Sequence, residues 1–169
     1  MRRYAEGTTV APGKTIEEIQ SLLIHHGADA FAQHLDVTRG IAGFMFTLRG
    51  LAYRVVMRLP DPADDELTHT PVERRRRTDD QVQKLWEHEI RRRWRSLALL
   101  VKAKLVAVDE GIVTLEEEFL PYVVLASGQS IAEEALPRLQ EAVRCGQMPT
   151  PSLLGLPVVL ALPEAGETP

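Results

Sequence analysis

Between Thr78 and Gly111 the apolar residues Val82, Trp86, Ile90, Trp94, Leu97, Val101, Leu105 and Val108 recur at spacings of 4, 4, 4, 3, 4, 4 and 3. Only a helical period keeps such positions on one face, so this stretch predicts a single continuous amphipathic helix. Thr78 and Gln81 match a capping box, in which each side chain satisfies the other residue's orphan backbone N–H. Gly111 is placed to stop the helix. About 30 residues at 1.5 Å each give roughly 45 Å. That exceeds the expected width of a single domain of 169 residues, so one end of the helix is expected to project or to dock on a partner.

The same capping pattern occurs at Thr15 with Glu18, Thr114 with Glu117 and Ser130 with Glu133, each ahead of apolar residues at helical spacing. A first helix is therefore expected from Thr15 to His26, with Ile16, Ile19, Leu22 and Leu23 on its buried face and Gly27 as its stop. A short helix is expected from Thr114 to Leu120, ended by Pro121, and a last one from Ser130 to Arg144, interrupted at Pro137. Between the first and long helices, Leu51 to Leu59 alternates strictly: Leu51, Tyr53, Val55, Met57 and Leu59 fall on one side, Ala52, Arg54, Val56 and Arg58 on the other. A period of two is a half-buried strand. Ile41 to Leu48 pairs with it through a two-residue Arg49-Gly50 turn, and Ala28 to His34 is a preceding third strand. The expected fold is α+β: an N-terminal helix, a three-stranded antiparallel meander, one long amphipathic helix and two short C-terminal helices. One globular domain, residues 1–145, is expected to contain a mobile linker at 60–77, PDPADDELTHTPVERRRR. An extended, proline-rich tail at 146–169 follows, lying on the core through Leu153, Leu154 and Val158 to Leu162.

Composition bounds the function more than it selects one. A lone cysteine, Cys145, forms no internal disulfide, which fits a reducing compartment. No apolar run reaches the ~20 residues of a membrane span, and no signal peptide is visible, so a cytoplasmic protein without a membrane partner is expected. The five histidines, His25, His26, His34, His69 and His88, stand in no metal-ligand spacing with Cys145 or with carboxylates. There is no phosphate loop and no GxGxxG, and Cys145 has no nearby base. Neither a cofactor nor a catalytic constellation is expected. Glu116, Glu117 and Glu118 suit a helix start through the helix dipole without any catalytic role.

Charge is distributed unevenly. Residues 1–70 hold 7 Lys/Arg and 9 Asp/Glu, residues 71–108 hold 11 and 5, and residues 109–169 hold 2 and 10, so the net charges are −2, +6 and −8. On the long helix Lys84, Arg91, Arg95 and Lys102 fall on one side, away from the apolar stripe, and Arg74, Arg75, Arg76 and Arg77 precede it. A basic stripe of this kind can follow phosphates, each contact releasing counterions, with the four arginines as a flexible clamp. Trp86 and Trp94 lie on the apolar face and read as core anchors, not as stacking platforms. The competing reading is a solvated face in which Glu87 and Arg91 form an ordinary i,i+4 pair.

The segment IRRRWRSLALLVKAKLVAVDEGIVTLEEEFLPYVVLASGQSIAE, residues 90–134, resembles a block found in small uncharacterised phage and prophage proteins. Those proteins also share a start like KTIEEIQSLLIHHGADAF, residues 14–31, and a hairpin like that at 41–59. The resemblance implies a mobile-element gene among replication and recombination genes, and it carries over no functional residues. The helix–three strands–helix order is also similar to a double-stranded RNA-binding domain, although the linker before the second helix is too long for one. The expectation is thus a non-catalytic phage accessory protein that binds nucleic acid through Lys84, Arg91, Arg95, Lys102 and Arg74 to Arg77, in replication or recombination. The alternative is a protein-interaction module: an inhibitor of a host or defence enzyme, or a subunit of a larger phage complex.

Overall fold

A computed structural model describes residues 4–146, together with the backbone of 152–153 and 156–157. The chain divides into two compact units, Met1–Ala132 and Glu133–Pro169. The first unit is the expected α+β arrangement. Its elements are α1 (Pro12–His25), β1 (Ala30–Asp36), β2 (Ile41–Leu48), β3 (Leu51–Arg58), α2 (Asp65–Thr68), α3 (Asp79–Asp109) and α4 (Leu115–Phe119), followed by a 3-10 turn over Leu120–Tyr122. Helix α5 (Ile131–Arg144) continues into the second unit, where β4 (Ser152–Leu153) and β5 (Leu156–Pro157) pair antiparallel. The tail beyond these four residues, with Leu154 and Val158 to Leu162, lies outside the described residues.

The sheet is an antiparallel meander in the order β1-β2-β3, with Phe31 opposite Phe46 and Phe46 opposite Tyr53. Arg49 and Gly50 both take positive φ, 50° and 78°, as a two-residue hairpin of mirror-image type requires. Gly43 has a steric reason: a Cβ there would lie 2.0 Å from the Val55 carbonyl oxygen. Ala42, Phe44, Phe46 and Leu48 from β2, with Tyr53 and Val55 from β3, face the helices, where Ile19, Leu23, Val101, Leu105 and Phe119 complete the core. The rings of Phe46 and Tyr53 stack at 4.7 Å, and Phe119 meets Phe46 edge-on at 5.7 Å. Each such large side chain stabilises the fold by roughly 1.5–3 kcal/mol through burial alone. The opposite face of the sheet carries Met45 and Val56, both exposed.

Two capping boxes form as expected, Thr78 with Gln81 at α3 and Thr114 with Glu117 at α4. The one at Thr15 does not. Pro12, at a position suited to a helix start, moves the beginning of α1 upstream to an Ala11 N-cap with no side-chain hydrogen bond. Thr15 is consequently inside the helix, and its Oγ1 is buried with no hydrogen-bond partner among the described residues. Pro121 does not simply end α4; it enters the 3-10 turn that follows. Pro137 lies inside α5, which is assigned continuously from Ile131 to Arg144. The YVVLA segment joins the sheet only at its edge, where Val124 N–H donates to the Ala52 carbonyl at 2.8 Å.

Residues 60–77 are not the featureless linker that their composition suggests. They form α2 and a short antiparallel bridge between His69 and Arg76. The order comes from a side chain: Arg77 Nη1 donates to the Glu66 carbonyl at 2.9 Å, to that of Leu67 at 3.0 Å and to that of His69, gathering the carbonyls at the end of α2. Along α3 burial is lopsided. Trp94, Leu97, Ala98, Val101 and Leu105 are buried, whereas no residue before Trp94 is. The first half of this helix runs past the core, as its length requires, and Trp86 fixes it there by donating Nε1–H to the Pro60 carbonyl at 2.8 Å. At the other end the His26 ring lies between the Leu22 carbonyl, 2.7 Å, and Asp109, 3.0 Å, tying α1 to α3.

Candidate functional site

The basic stripe sits on α3 as its spacing predicts, but Lys84, Arg91 and Arg95 have internal partners. Lys84 pairs with Asp80 at 2.8 Å one turn earlier, and Arg91 with Glu87 at 3.9 Å. Arg95 crosses to α1 and hydrogen-bonds Glu18, which holds its guanidinium above its ordinary pKa. Neighbouring cations follow the same pattern. Arg92 makes a forked contact with Glu89 and is likewise raised by it, and Lys104 Nζ reaches Glu118 at 2.6 Å. Arg93 donates to the Arg58 carbonyl. Lys102 is the member of the stripe that stays exposed with no partner among the described residues. Of the four arginines before the helix, Arg74 pairs with Asp65 and Arg77 holds the end of α2, while the backbones of Arg75 and Arg76 lie in the turn back to Thr70 and His69. The structure therefore brings Lys84, Arg91, Arg95 and Lys102 onto one helix, and ties Arg74 and Arg77 into local structure instead of leaving them as a free arm.

The acidic run is dispersed in the same way. Glu116 meets Arg49 at 2.5 Å, Glu117 closes the capping box with Thr114, and Glu118 takes Lys104. Backbone hydrogen bonding, followed by the Arg49 contact, holds Glu116 below the usual carboxylate range; the Thr114 N–H and hydroxyl do so for Glu117. Among the described residues no group of three or more His, Cys, Asp or Glu could hold a metal ion. Cys145 is exposed, and the Glu141 carboxylate 3.2 Å away raises its pKa, which opposes formation of a reactive thiolate. No helix among the described residues is long and apolar enough to cross a membrane.

Two further features become apparent in the packed structure. A cavity of about 780 Å³ lies where β1, the start of α1 and the first half of α3 diverge, with walls that include Ile16, Leu59, Trp86 and Trp94 and a margin at Gln33 and Leu35. It exists because the long helix outruns the core, which only the packed structure discloses. The second is an additional apolar strip on α3. Leu99, Leu100 and Val106 are 44%, 42% and 48% exposed, with exposed Ala103 between them, on the side away from Trp94, Leu97, Val101 and Leu105. In the second unit, α5 carries Leu136, Leu139 and Val143 at 54%, 48% and 62% exposure, and none of its residues is buried. Their i, i+3, i+7 spacing is that of an amphipathic helix with an open apolar face. The signal for both strips is present in the sequence, but a helix apolar on two sides reads there simply as a core helix. No family model matches the chain, and neither a curated protein nor a solved structure does.

Proposed function

We propose that this chain is a non-catalytic protein-interaction module, in which exposed helix faces recognise an apolar surface on a partner. The observation that carries this reading is the open strip Leu99, Leu100, Ala103 and Val106, on a helix where Arg91, Arg92 and Arg95 are already paired with carboxylates. Exposed apolar residues arranged contiguously on one helix mark recognition surfaces more often than leucines scattered singly do. Helix-in-groove recognition uses this spacing of anchors. The resemblance to phage proteins supports a partner that is a host enzyme or a larger phage complex. Nucleic-acid binding in replication or recombination is the reading that this pairing favours less, because a phosphate would compete with Glu18, Glu87 and Asp80 for Arg95, Arg91 and Lys84.

The test uses full-length bait in nuclease-treated lysate of the host, comparing wild type with a Leu99→Lys/Val106→Lys variant. Both positions are solvent-exposed, so the variant is expected to melt at the wild-type temperature. A protein retained by the wild type and lost with the variant supports the proposal. Identical retention by both, or retention seen only in untreated lysate, contradicts it.

A further inference from the structure

The outer edge of the sheet is the other unsatisfied feature of the first unit. β1 pairs with β2 on one side only, in an unbroken register from Ala30 opposite Thr47 to Asp36 opposite Ile41. The hydrogen-bonding parity follows from the hairpin. Leu59 N–H donates to the Gly40 carbonyl, so in the β2–β3 ladder the even-numbered β2 residues turn their backbone groups toward β3. The odd-numbered ones turn toward β1, where they meet Ala30, Ala32, His34 and Asp36. Phe31, Gln33 and Leu35 therefore direct their N–H and C=O groups outward, and no described residue pairs with them. Little blunts this edge: AFAQHLD contains no proline and no lysine, and the register is unbroken from Ala30 to Asp36, with an irregularity just before it, where the Asp29 N–H also meets the Thr47 carbonyl at 2.8 Å.

We infer that β1 pairs antiparallel with β1 of a second copy of this chain across a two-fold axis at Gln33, making one six-stranded sheet. Self-complementarity argues for this occupant. With Gln33 on the axis, Phe31 lies opposite the second copy's Leu35 and Leu35 opposite its Phe31, so all three outward-facing residues of each strand become hydrogen-bonded pairs. Shifting the register by two residues in either direction strands one of them. On the core side, Leu35, 57% exposed in the single chain, gains an aromatic neighbour from Phe31, whose ring already stacks on Phe44. The two Gln33 amides meet at the axis, where each offers both donor and acceptor. On the other side Ala32 faces His34 and Ala30 faces Asp36, which separates the two Asp36 carboxylates to opposite ends of the ladder. This pairing goes beyond the recognition proposed for α3, because it uses a different element and a different occupant.

Sedimentation equilibrium of the full chain at about 100 μM, where a micromolar Kd populates the complex, reads the mass directly. The expected result is twice the chain mass. Gln33→Pro removes the outward N–H at the axis while leaving the β2 ladder intact, and is expected to return the mass to that of one chain. Leu35→Lys does the same by placing a cation on the edge, and decides the matter should the proline variant fail to fold. In a Cys145→Ser background, Gln33→Cys is expected to cross-link to itself on mild oxidation, since only this register sets position 33 against its own copy. A single-chain mass for the wild type, a dimer that survives Leu35→Lys, or no cross-link at position 33 overturns the inference.

Discussion

At the scale of single residues, steric and hydrogen-bonding demands decide which positions tolerate change. Gly43 has no room for a methyl group beside the Val55 carbonyl, so Gly43→Ala must push β2 and β3 apart. A loss of roughly 1–3 kcal/mol is expected by chemical denaturation; unchanged stability would mean that the strands separate freely there. Thr15 presents the opposite case. Its hydroxyl is buried without a partner, so Thr15→Val, which keeps the shape and removes the polar atom, is expected to be neutral or to stabilise by up to about 1 kcal/mol. A clear loss in the same assay would show that the hydroxyl is satisfied. Thr15 also illustrates how local patterns mislead. T-x-x-E reads as a capping box by itself, but Pro12 starts the helix one turn sooner, and packing against α3 then buries the hydroxyl.

At the scale of elements, helices and strands were legible wherever a periodic pattern met a start or stop signal. The α3 stripe, the β3 alternation and the Arg49-Gly50 turn each carry their information within a few residues. Residues 60–77 were not legible, because α2 is too short to show a period and its order depends on Arg77 reaching back to Leu67 and its neighbours. The Thr78 box is a direct energetic test, since α3 begins on a segment with no buried residue to hold it. Thr78→Ala is expected to cost about 1 kcal/mol and to fray the first turn, visible as faster amide exchange at Gln81 and Val82. The Thr114 box adds a pH dependence. A carboxyl held below its ordinary pKa in the folded state stabilises the fold above its unfolded pKa and loses that contribution as pH falls through its folded one. Glu117, with Glu116 beside it, is lowered, so stability is expected to fall on the acid side of the usual carboxylate range. Glu117→Gln should flatten that part of a stability-versus-pH curve; an unaltered curve would show that the box is not formed.

At the scale of the whole molecule, what the basic helix can bind depends on where its charges go. The sequence displays the cations of residues 71–108 but not their partners: Glu18 is 77 positions from Arg95, and Glu118 is 14 from Lys104, so these pairs exist only after folding. The i,i+4 pairs Asp80–Lys84 and Glu87–Arg91, by contrast, are legible in the sequence. The distinction between a surface that attracts phosphates and one that has neutralised itself is therefore tertiary. The measurement that tests it most directly is fluorescence anisotropy with short single- and double-stranded DNA and RNA at roughly 50 and 200 mM salt. If the arginines of α3 are engaged internally, no saturable binding is expected below about 100 μM even at the lower salt, the weak end of non-specific nucleic-acid affinity. Saturable binding that weakens by about 10²–10³ between the two salts, the slope of four to six phosphate contacts, would contradict the account and return the basic helix face to the centre of the function.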